Sequence, residues 1–499
     1  MYGCTGQNLR PRVLQWICDF IYYDIMKKST IFVNRILSVT LAATLLLSGC
    51  SGIDVDQIIG IDIKTSESID AQGEKSDSGE TAPVDNEEEP LHVISIVDDT
   101  EAVITDEQLE EVVEYEEIYD PVGKEYSVQA ANGSEITMAF VGDVGFAEGY
   151  ATINKYRSMG SDINNSLDAE ILEVMQGVDI MMANNEFPYS YRGSPTPNKT
   201  YTFRADPADV HIMQDMGVDI VSLANNHAYD YGPDALIDTV DTLNEAKLPF
   251  VGAGKNMEEA KKPAYFHVNG HVVSFVSATQ IERYANPDTK EATEDSPGVL
   301  RTLDPAKAVA AIEGAAANSD FTVMYVHWGS ESTDLVEQSQ RDLARAYVDA
   351  GADLIIGDHS HCLQGIDYVD DVPVFYSLGN YWFNSRTLDT CIVRVTLDEE
   401  CKIKAVEFIP ALQTGSCVRN ADGDNYDRIL EYMRGISNYA EIDEQGFVTK
   451  SDTNHNIQNG QNTSPAKKVE KKEPTEEELQ AQALQDMMNT MLEQAQSAQ

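Results

Sequence analysis

The sequence predicts an α/β fold in which a β-sheet is covered on both faces by helices. Seven apolar runs recur between residues 134 and 437, and helix-like stretches alternate with them. Runs that are apolar throughout are typical of strands buried on both faces, whereas strands with one wet face alternate in polarity. Helices and strands in alternation are typical of a sheet with parallel strands.

The predicted strands are the apolar runs Ile136–Val141, Val178–Ala183, Val218–Ala224, Val272–Ser277, Phe321–Val326, Ala352–Ile356 and Val372–Ser377. The predicted helices lie near residues 165–177, 207–216, 233–247, 304–318 and 335–350. Residues 391–397 and 401–408 predict a hairpin that closes the domain. Cys391 and Cys401 lie on this hairpin but not opposite each other, so no bridge between them is expected.

The composition narrows the class of function. The chain has 499 residues, with 84 Asp and Glu against 35 Lys and Arg, and a formal net charge of −49. Nucleic-acid binding needs a basic face, which so large an excess of acid disfavours. Seven cysteines are too few for a disulfide scaffold in a chain of this length.

Residues 26–49 predict a bacterial signal peptide. A basic head, Met26-Lys27-Lys28, precedes an apolar run, Ile36–Leu47, which is shorter than a membrane-spanning helix. Leu47-Ser48-Gly49-Cys50 resembles the bacterial lipobox. This resemblance implies that Cys50 is acylated and anchors the protein to the extracytoplasmic face of the cell membrane. An uncleaved anchor helix is the alternative.

The remaining chain divides by composition. Residues 1–25 form a leader ahead of the signal, and we expect Met26 to be the true start. Residues 50–133 are acidic and poor in large apolar side chains, which predicts a disordered stalk. Residues 134–440 form the folded domain. Residues 441–499 predict a polar tail, in which the apolar spacing of residues 475–495 is compatible with an amphipathic helix, either packed on a partner or exposed and frayed.

Polar side chains follow the apolar runs at the points where the predicted strands end. In open α/β sheets, ligands bind beyond the carboxyl ends of the strands, so we expect these side chains to converge on one site. The clusters are Gly142-Asp143, Asn184-Asn185-Glu186, Asn225-Asn226-His227 with Asp230, His327-Trp328-Gly329 with Glu331, Gly357-Asp358-His359-Ser360-His361, and Gly379-Asn380.

These residue types suit a metal. Four of the nine histidines lie in the clusters, and imidazole with carboxylate and amide oxygens suits Mn, Fe, Zn or Ni. His359 and His361 would point the same way if their segment is extended. Acid–base chemistry without a metal is an alternative. Taken singly, the clusters also have structural explanations, such as a helix cap at Asn225 or a core histidine at His327.

The order of these motifs resembles the CapA family of bacterial capsule or poly-γ-glutamate synthesis proteins, over residues 134–437. The motifs are Gly142-Asp143, Asn184-x-Glu186, Ala224-Asn225-Asn226-His227 with Asp230-Tyr231-Gly232, His327-Trp328-Gly329 with Glu331, Gly357-x-His359-x-His361, and Tyr376-Ser377-Leu378-Gly379-Asn380. The family is related in fold to calcineurin-like metallophosphoesterases. The resemblance therefore implies a four-layer sandwich of two mixed β-sheets flanked by helices.

The resemblance also implies site residues and one or two divalent ions, Mn, Fe, Zn or Mg. The implied metal ligands are Asp143, Glu186, Asn226, His227, His327, His359 and His361. The implied catalytic residues are Asp143, Glu186, His227, His327, Glu331 and His361. The chain departs from the family pattern at Ser360, where Pro is usual, and at Asn185, where Leu is frequent. It also lacks the Asp-x-His motif of true metallophosphoesterases, because Val144-Gly145 follow Asp143, so one metal position is expected to be weaker or absent.

Three functions remain open from the sequence. The first is a lipid-anchored extracytoplasmic protein of capsule or poly-γ-glutamate synthesis or export, which works with other membrane proteins of that synthesis. The second is a metal-dependent hydrolase of a phosphoester or an amide in the envelope. The third is a non-catalytic module that binds an anionic polymer. The strongly acidic chain would repel a polyanion unless a metal, or Arg192, Lys199 and Arg204, offsets the charge.

Overall fold

A computed structural model describes residues 118–130, 133–281 and 289–453. They belong to one unit, Asp106–Gln499. The predicted signal peptide, Cys50, most of the predicted stalk and the predicted tail helix lie outside the described residues. No helix within the described ranges has the length and apolarity needed to cross a membrane.

Numbered along the chain, the described strands are β1 Tyr119–Asp120, β2 Glu125–Ser127, β3 Ile136–Val144, β4 Ile180–Asn185, β5 Ile220–Ser222, β6 Phe250–Val251, β7 Ala253–Gly254, β8 Ala264–Val268, β9 His271–Thr279, β10 Gly298–Val299, β11 Phe321–His327, β12 Leu354–Asp358, β13 Leu363–Val369, β14 Val372–Leu378, β15 Asn380–Trp382, β16 Leu388–Leu397, β17 Ile403–Thr414, β18 Cys417–Asn420, β19 Ala440–Ile442 and β20 Val448–Lys450. The described α-helices are α1 Ala151–Ser158, α2 Ile163–Ser166, α3 Ala169–Gln176, α4 His211–Asp215, α5 Pro233–Glu245, α6 Met257–Ala260, α7 Ala306–Ala316, α8 Gln338–Ala350 and α9 Gly423–Ile436, with a 3-10 turn at Pro207–Val210.

Most strands belong to two mixed sheets. The first has the order β1-β2-β8-β9-β11-β12-β14-β13, and the second has β18-β17-β16-β3-β4-β5-β6 with β15 beside β3. The central strands of each sheet are parallel, β9-β11-β12-β14 in one and β3-β4-β5-β6 in the other. Parallel strands bring their carboxyl ends to one edge of a sheet, which is where the polar clusters lie.

The two sheets pack face to face between two layers of helices. Successive side chains of a strand point to opposite faces, so each strand can serve two cores. Phe140 of β3 and Tyr325 of β11 share the core between the sheets. Val141 packs with α1, α3, α4 and α5 on the outer face of the second sheet, and Val326 packs with α7 and α8 on the outer face of the first. The four-layer sandwich predicted from the family resemblance is confirmed.

The predicted strands and helices in the domain are also confirmed. The hairpin is formed by β16 and β17, and Cys391 faces Pro410 rather than Cys401. The four described cysteines are free. The sequence missed β8, whose residues are alternately buried and half-buried, because the search relied on runs that are apolar throughout. It also missed β13 and α9.

The sheets extend beyond the predicted domain boundaries. β2 pairs in parallel with β8, with Tyr126 opposite Phe266, so this segment belongs to the first sheet rather than to the predicted stalk. Tyr126 is buried and its ring centroid lies 5.3 Å from that of Phe266. After residue 440, the β19–β20 hairpin packs on β17, where the Phe408 N–H donates to the Gly446 carbonyl at 2.8 Å.

One buried carboxyl group outside the site predicts a dependence of stability on pH. Asp219 precedes β5, and its Oδ2 accepts the Met181 N–H at 2.8 Å. Burial raises its pKa from 3.8 to about 7. Because the pKa is higher in the folded chain than in the unfolded chain, the stabilisation is complete below about pH 4 and is lost as the pH rises through 7.

Asp219→Asn keeps an oxygen acceptor for Met181 and removes the buried charge. We expect the free energy of unfolding of the variant, relative to that of the wild type, to be at least ~1 kcal/mol higher at pH 8 than at pH 5, so the variant gains stability over the wild type as the pH rises. Urea unfolding at the two pH values measures this difference. Glu173→Gln, on the exposed face of α3, is the control and should show no such change. An equal effect of Asp219→Asn on stability at both pH values would contradict the raised pKa of Asp219.

Candidate metal centre

The polar clusters at the strand ends of both sheets meet in one buried place. In the second sheet Asp143 of β3 lies beside Asn184 of β4, and in the first sheet His327 of β11 lies beside Asp358 of β12. All four residues are fully buried. The Asn184 amide donates to Asp143 Oδ1 at 3.0 Å, and its nitrogen lies 3.5 Å from His327 Nδ1. The convergence predicted from the sequence therefore joins the two sheets.

Two glycines permit the close backbone approach at these strand ends. A Cβ at Gly142 would lie 2.0 Å from the carbonyl oxygen of Gly379, the atom that accepts the Asp143 N–H at 3.0 Å. A Cβ at Gly357 would lie 2.2 Å from the carbonyl oxygen of Tyr376. Any larger residue would push Asp143 or Asp358 away from the neighbouring strand.

Among the described residues, the carboxylate of Glu186 has no hydrogen-bonding partner. It follows β4, is fully buried, and neither oxygen accepts a hydrogen bond from the described residues. Its Oε1 lies 3.7 Å from His327 Nε2 and 4.0 Å from His227 Nε2. Burial raises the pKa of Glu186 well above its usual range, and the negative charges of Asp143 and Asp358 raise it further. An unpaired buried carboxylate is costly unless a cation or a proton compensates its charge.

His327 occupies the centre of the cluster. Its Nδ1 lies 2.8 Å from Asp358 Oδ1, and its Nε2 lies 2.7 Å from Asn226 Oδ1 and 3.0 Å from His359 Nδ1. Burial lowers the pKa of His327 well below its usual value, and the charges of His361 and His227 lower it further. A neutral His327 that donates Nδ1–H to Asp358 turns the Nε2 lone pair toward Asn226 Oδ1. A cation beside these two acceptors would remove their repulsion.

Three groups of ligand atoms are compact enough to hold an ion. They are Glu186, His327 and His359; Asp143, His327 and Asp358; and Asp143, Glu186 and His361, each with its atoms within 4.8 Å of one another. Asp143, Glu186 and His327 each belong to two groups, as expected for adjacent ions with shared ligands. Imidazole and carboxylate donors suit Mn, Fe or Zn. The residues present therefore fit one or two of the divalent ions expected from the sequence.

His359 and His361 reach the site by a turn and not by an extended segment. Their φ angles are +87° and +57°, so the premise that they project from one face of a strand is wrong. The two ring centroids nevertheless lie 5.8 Å apart. His361 Nδ1 lies 3.0 Å from Asp143 Oδ2 and 2.8 Å from Asn380 Oδ1. Burial opposes its charged form, but the contact with Asp143 outweighs this and raises the pKa of His361.

His227 lies beside the three ligand groups. Its Nδ1 is 2.7 Å from Asp230 Oδ2, which leaves Nε2 directed toward Glu186. Burial lowers the pKa of His227. The Asn225 side chain accepts the His227 N–H at 3.0 Å and donates to Asn184 Oδ1 at 2.9 Å. Asn225 therefore orders this loop, and α5 begins only at Pro233.

Glu331 lies at the rim of the site. It is exposed and lines a cavity of about 610 Å³ that opens onto the cluster. The other lining residues are Lys199, Thr200, Tyr201, Asn226, His227, Gln280, Ile281, Leu303, Gly329, Ser330, Glu337 and His359. Its exposure separates Glu331 from the buried residues of the three ligand groups.

The basic residues expected to attract a polyanion are engaged within the protein. Lys199 has a side chain only 7% exposed and lies 2.6 Å from Asp230 Oδ1. Arg192 forms an ion pair with Asp238. The Arg204 guanidinium lies 4.2 Å from the ring centroid of Tyr231. The sequence could not reveal these pairings, because the partners lie 27 to 46 residues apart along the chain.

Residues 137–385 match the model of the family described as "Bacterial capsule synthesis protein PGA_cap". This range includes every candidate ligand of the cluster. The chain is 30% identical over 275 residues to the PGA biosynthesis protein CapA of Bacillus subtilis, which covers 54% of this chain and 70% of that protein.

Two further relatives have names that also refer to capsule or polyglutamine synthesis. The capsule biosynthesis protein CapA of Bacillus anthracis is 32% identical over 281 residues, covering 54% of this chain and 66% of that protein. A probable polyglutamine synthesis accessory protein of Mycobacterium tuberculosis is 28% identical over 219 residues, covering 42% of this chain and 58% of that protein. With the sandwich fold and the motif residues gathered at its strand ends, the chain belongs to the CapA family of bacterial capsule synthesis proteins.

Proposed function

We propose that this protein is a metal-dependent hydrolase of the bacterial envelope that acts during capsule or poly-γ-glutamate synthesis or export. The observation that carries the proposal is the buried Glu186 carboxylate, unpaired among Asp143, His327, His359 and His361. The names of the relatives favour the amide bonds of polyglutamate as the substrate. A phosphoester is the second candidate, since the fold is metallophosphoesterase-like.

A divalent ion bound by these residues would supply Lewis acidity to the carbonyl or phosphoryl oxygen of the substrate. His227 can move a proton at Nε2, because Asp230 holds its Nδ1 and the cavity reaches its ring. Asn380 and Asp143 fix the His361 ring through Nδ1. We expect the rim residues Tyr201 and Glu331 to contact the substrate beyond the reacting bond, because both line the cavity.

The charges around the cavity support a role for the metal in binding an anionic polymer. Among the described residues that line the cavity, Lys199 is the only lysine or arginine, and its charge is neutralised by Asp230. Glu331 and Glu337 add negative charge to the rim. Among the groups that the structure describes around the cavity, a bound ion would therefore be the main source of positive charge for an anionic substrate. This dependence applies equally to a non-catalytic polymer-binding module, which the experiments below distinguish.

Removal of the unpaired carboxylate tests the metal site itself. We expect Glu186→Gln to lower the affinity for Mn²⁺ or Zn²⁺ by about 100-fold or more, because a shared ligand is lost. The metal-free variant should be at least as stable as the metal-free wild type, because a costly buried group is removed. Calorimetric titration with the ion measures the affinity, and thermal unfolding with and without metal measures the stability.

Glu331→Gln is the matched control, because its carboxylate lies at the exposed rim, and its metal affinity should equal that of the wild type. Wild-type metal affinity in Glu186→Gln would remove Glu186 from the site. A marked loss of stability in the metal-free variant would assign Glu186 a structural role instead.

Hydrolysis is tested with the full chain in detergent after reconstitution with Mn²⁺ or Zn²⁺. We expect poly-γ-glutamate to be shortened, with new amino termini, and His361→Ala and His227→Ala to slow the cleavage by about 100-fold or more. Size-exclusion chromatography and amine labelling follow the reaction. Bis(p-nitrophenyl) phosphate is assayed in parallel.

The outcomes separate the candidate functions. Cleavage of the phosphate diester alone would favour the phosphoesterase. Metal binding with polymer binding but no cleavage would favour the non-catalytic module. No metal in the wild type after reconstitution would refute the metallohydrolase.

The lipid anchor is tested at Cys50. The lipobox-like segment and the capsule-related names of the relatives support an anchored protein on the extracytoplasmic face of the cell membrane. We expect Cys50→Ala to abolish incorporation of labelled palmitate and to change the membrane fractionation of the protein, whereas Cys4→Ala leaves both unchanged. Labelled Cys50→Ala protein would contradict acylation at this residue.

A further inference from the structure

A loop of residues 191–204 forms one wall of the cavity. Its ends are closed by a bridge between Tyr189 and Ala205, where the Ser190 N–H donates to the Ala205 carbonyl at 3.2 Å. Most of the loop is exposed, and Tyr201 is 63% exposed. Thr200 and Tyr201 nevertheless line the cavity beside His227. Something must therefore hold this polar, exposed segment in place.

Asp230 provides that attachment. It is fully buried, and its Oδ1 accepts the Lys199 Nζ at 2.6 Å. Its Oδ2 accepts the Phe203 N–H at 2.6 Å and contacts His227 Nδ1 at 2.7 Å. The backbone carbonyl of Asp230 accepts the Thr196 N–H at 2.8 Å. One residue thus holds the loop at three points and the site histidine at a fourth.

The burial of these groups makes the attachment strong. A buried ion pair is favourable only when further hydrogen bonds satisfy its atoms, and loss of one partner leaves the other charge uncompensated. Here Lys199 Nζ also donates to the carbonyl oxygen of Asn226. The Phe203 ring packs on the His227 ring, with 4.2 Å between centroids. The loop cannot leave Asp230 without also releasing one face of His227.

We propose that Asp230 is a positioning residue that fastens the loop 191–204 over the site and sets the His227 ring with Nε2 toward Glu186. The cavity wall of Thr200 and Tyr201 and the histidine then become ordered together. The positioning role of Asp230 rests on the proposed function, but its test needs neither metal nor substrate. The positioning role and the proposed hydrolysis can therefore be refuted separately.

The test compares the metal-free full chain in detergent with Asp230→Ala. Histidine-selective ¹⁵N NMR reports which ring nitrogen of His227 carries the proton, and hydrogen exchange with mass spectrometry reports the protection of residues 196–204. In the wild type we expect the proton on Nδ1 and slow exchange. In Asp230→Ala we expect a mixture of the two tautomers and exchange at least about tenfold faster in the loop. Asp230→Asn retains one oxygen acceptor, so it should partly restore both the Nδ1 tautomer of His227 and the slow exchange of the loop.

Two further variants keep the test decisive. Lys199→Met removes one loop attachment and should speed exchange in the loop while the His227 proton stays on Nδ1. If Asp230→Ala does not fold, the Lys199→Met variant alone tests the attachment of the loop. Arg192→Gln breaks an exposed ion pair of the same loop and should leave residues 196–204 protected. Unchanged exchange in Lys199→Met, or an unchanged His227 tautomer with unchanged exchange in Asp230→Ala, would overturn the proposal.

Discussion

The buried carboxylate of Glu186 is the constraint on which the arrangement of the site depends. It lies with Asp143 and Asp358 in a fully buried place, and neither of its oxygens is hydrogen-bonded by the described residues. Such a group destabilises a fold unless a cation compensates it. A structure that only had to be stable would replace it with an apolar side chain, so its presence indicates a function that needs negative charge at this point.

The fold supplies the convergence that this function requires. Each sheet has parallel central strands, and the packing of the sheets brings the ends of β3 and β4 against those of β11 and β12. Close approach at Gly142 and Gly357 sets the depth at which Asp143 and Asp358 sit. The outer helices bury the other face of each sheet and contribute no ligand to the three groups. The surrounding structure thus supports a site made of strand ends and the loops that follow them.

Much of this could be predicted from the sequence, and the exceptions have physical reasons. The central strands were found because burial on both faces makes them apolar throughout, whereas β8 alternates and was missed. The ligand candidates were found because they follow strands directly. The turn at His359 and His361 could not be foreseen, because their positive φ angles depend on contacts formed only in the fold. The pairing of Lys199 with Asp230 joins distant segments, and no local pattern reveals it.

The location of a bound ion would show whether the Glu186 cluster is a metal centre. Anomalous diffraction from crystals of the full chain grown with Mn²⁺ or Zn²⁺, recorded above and below the absorption edge of the ion, tests it most directly. We expect one or two peaks at about 2.0–2.3 Å from atoms of Glu186, Asp143 and the histidines. In Glu186→Gln we expect the peak next to residue 186 to be lost or strongly reduced. The absence of a peak at the cluster in the wild type, with the ion detected elsewhere in the same crystals, would contradict the account.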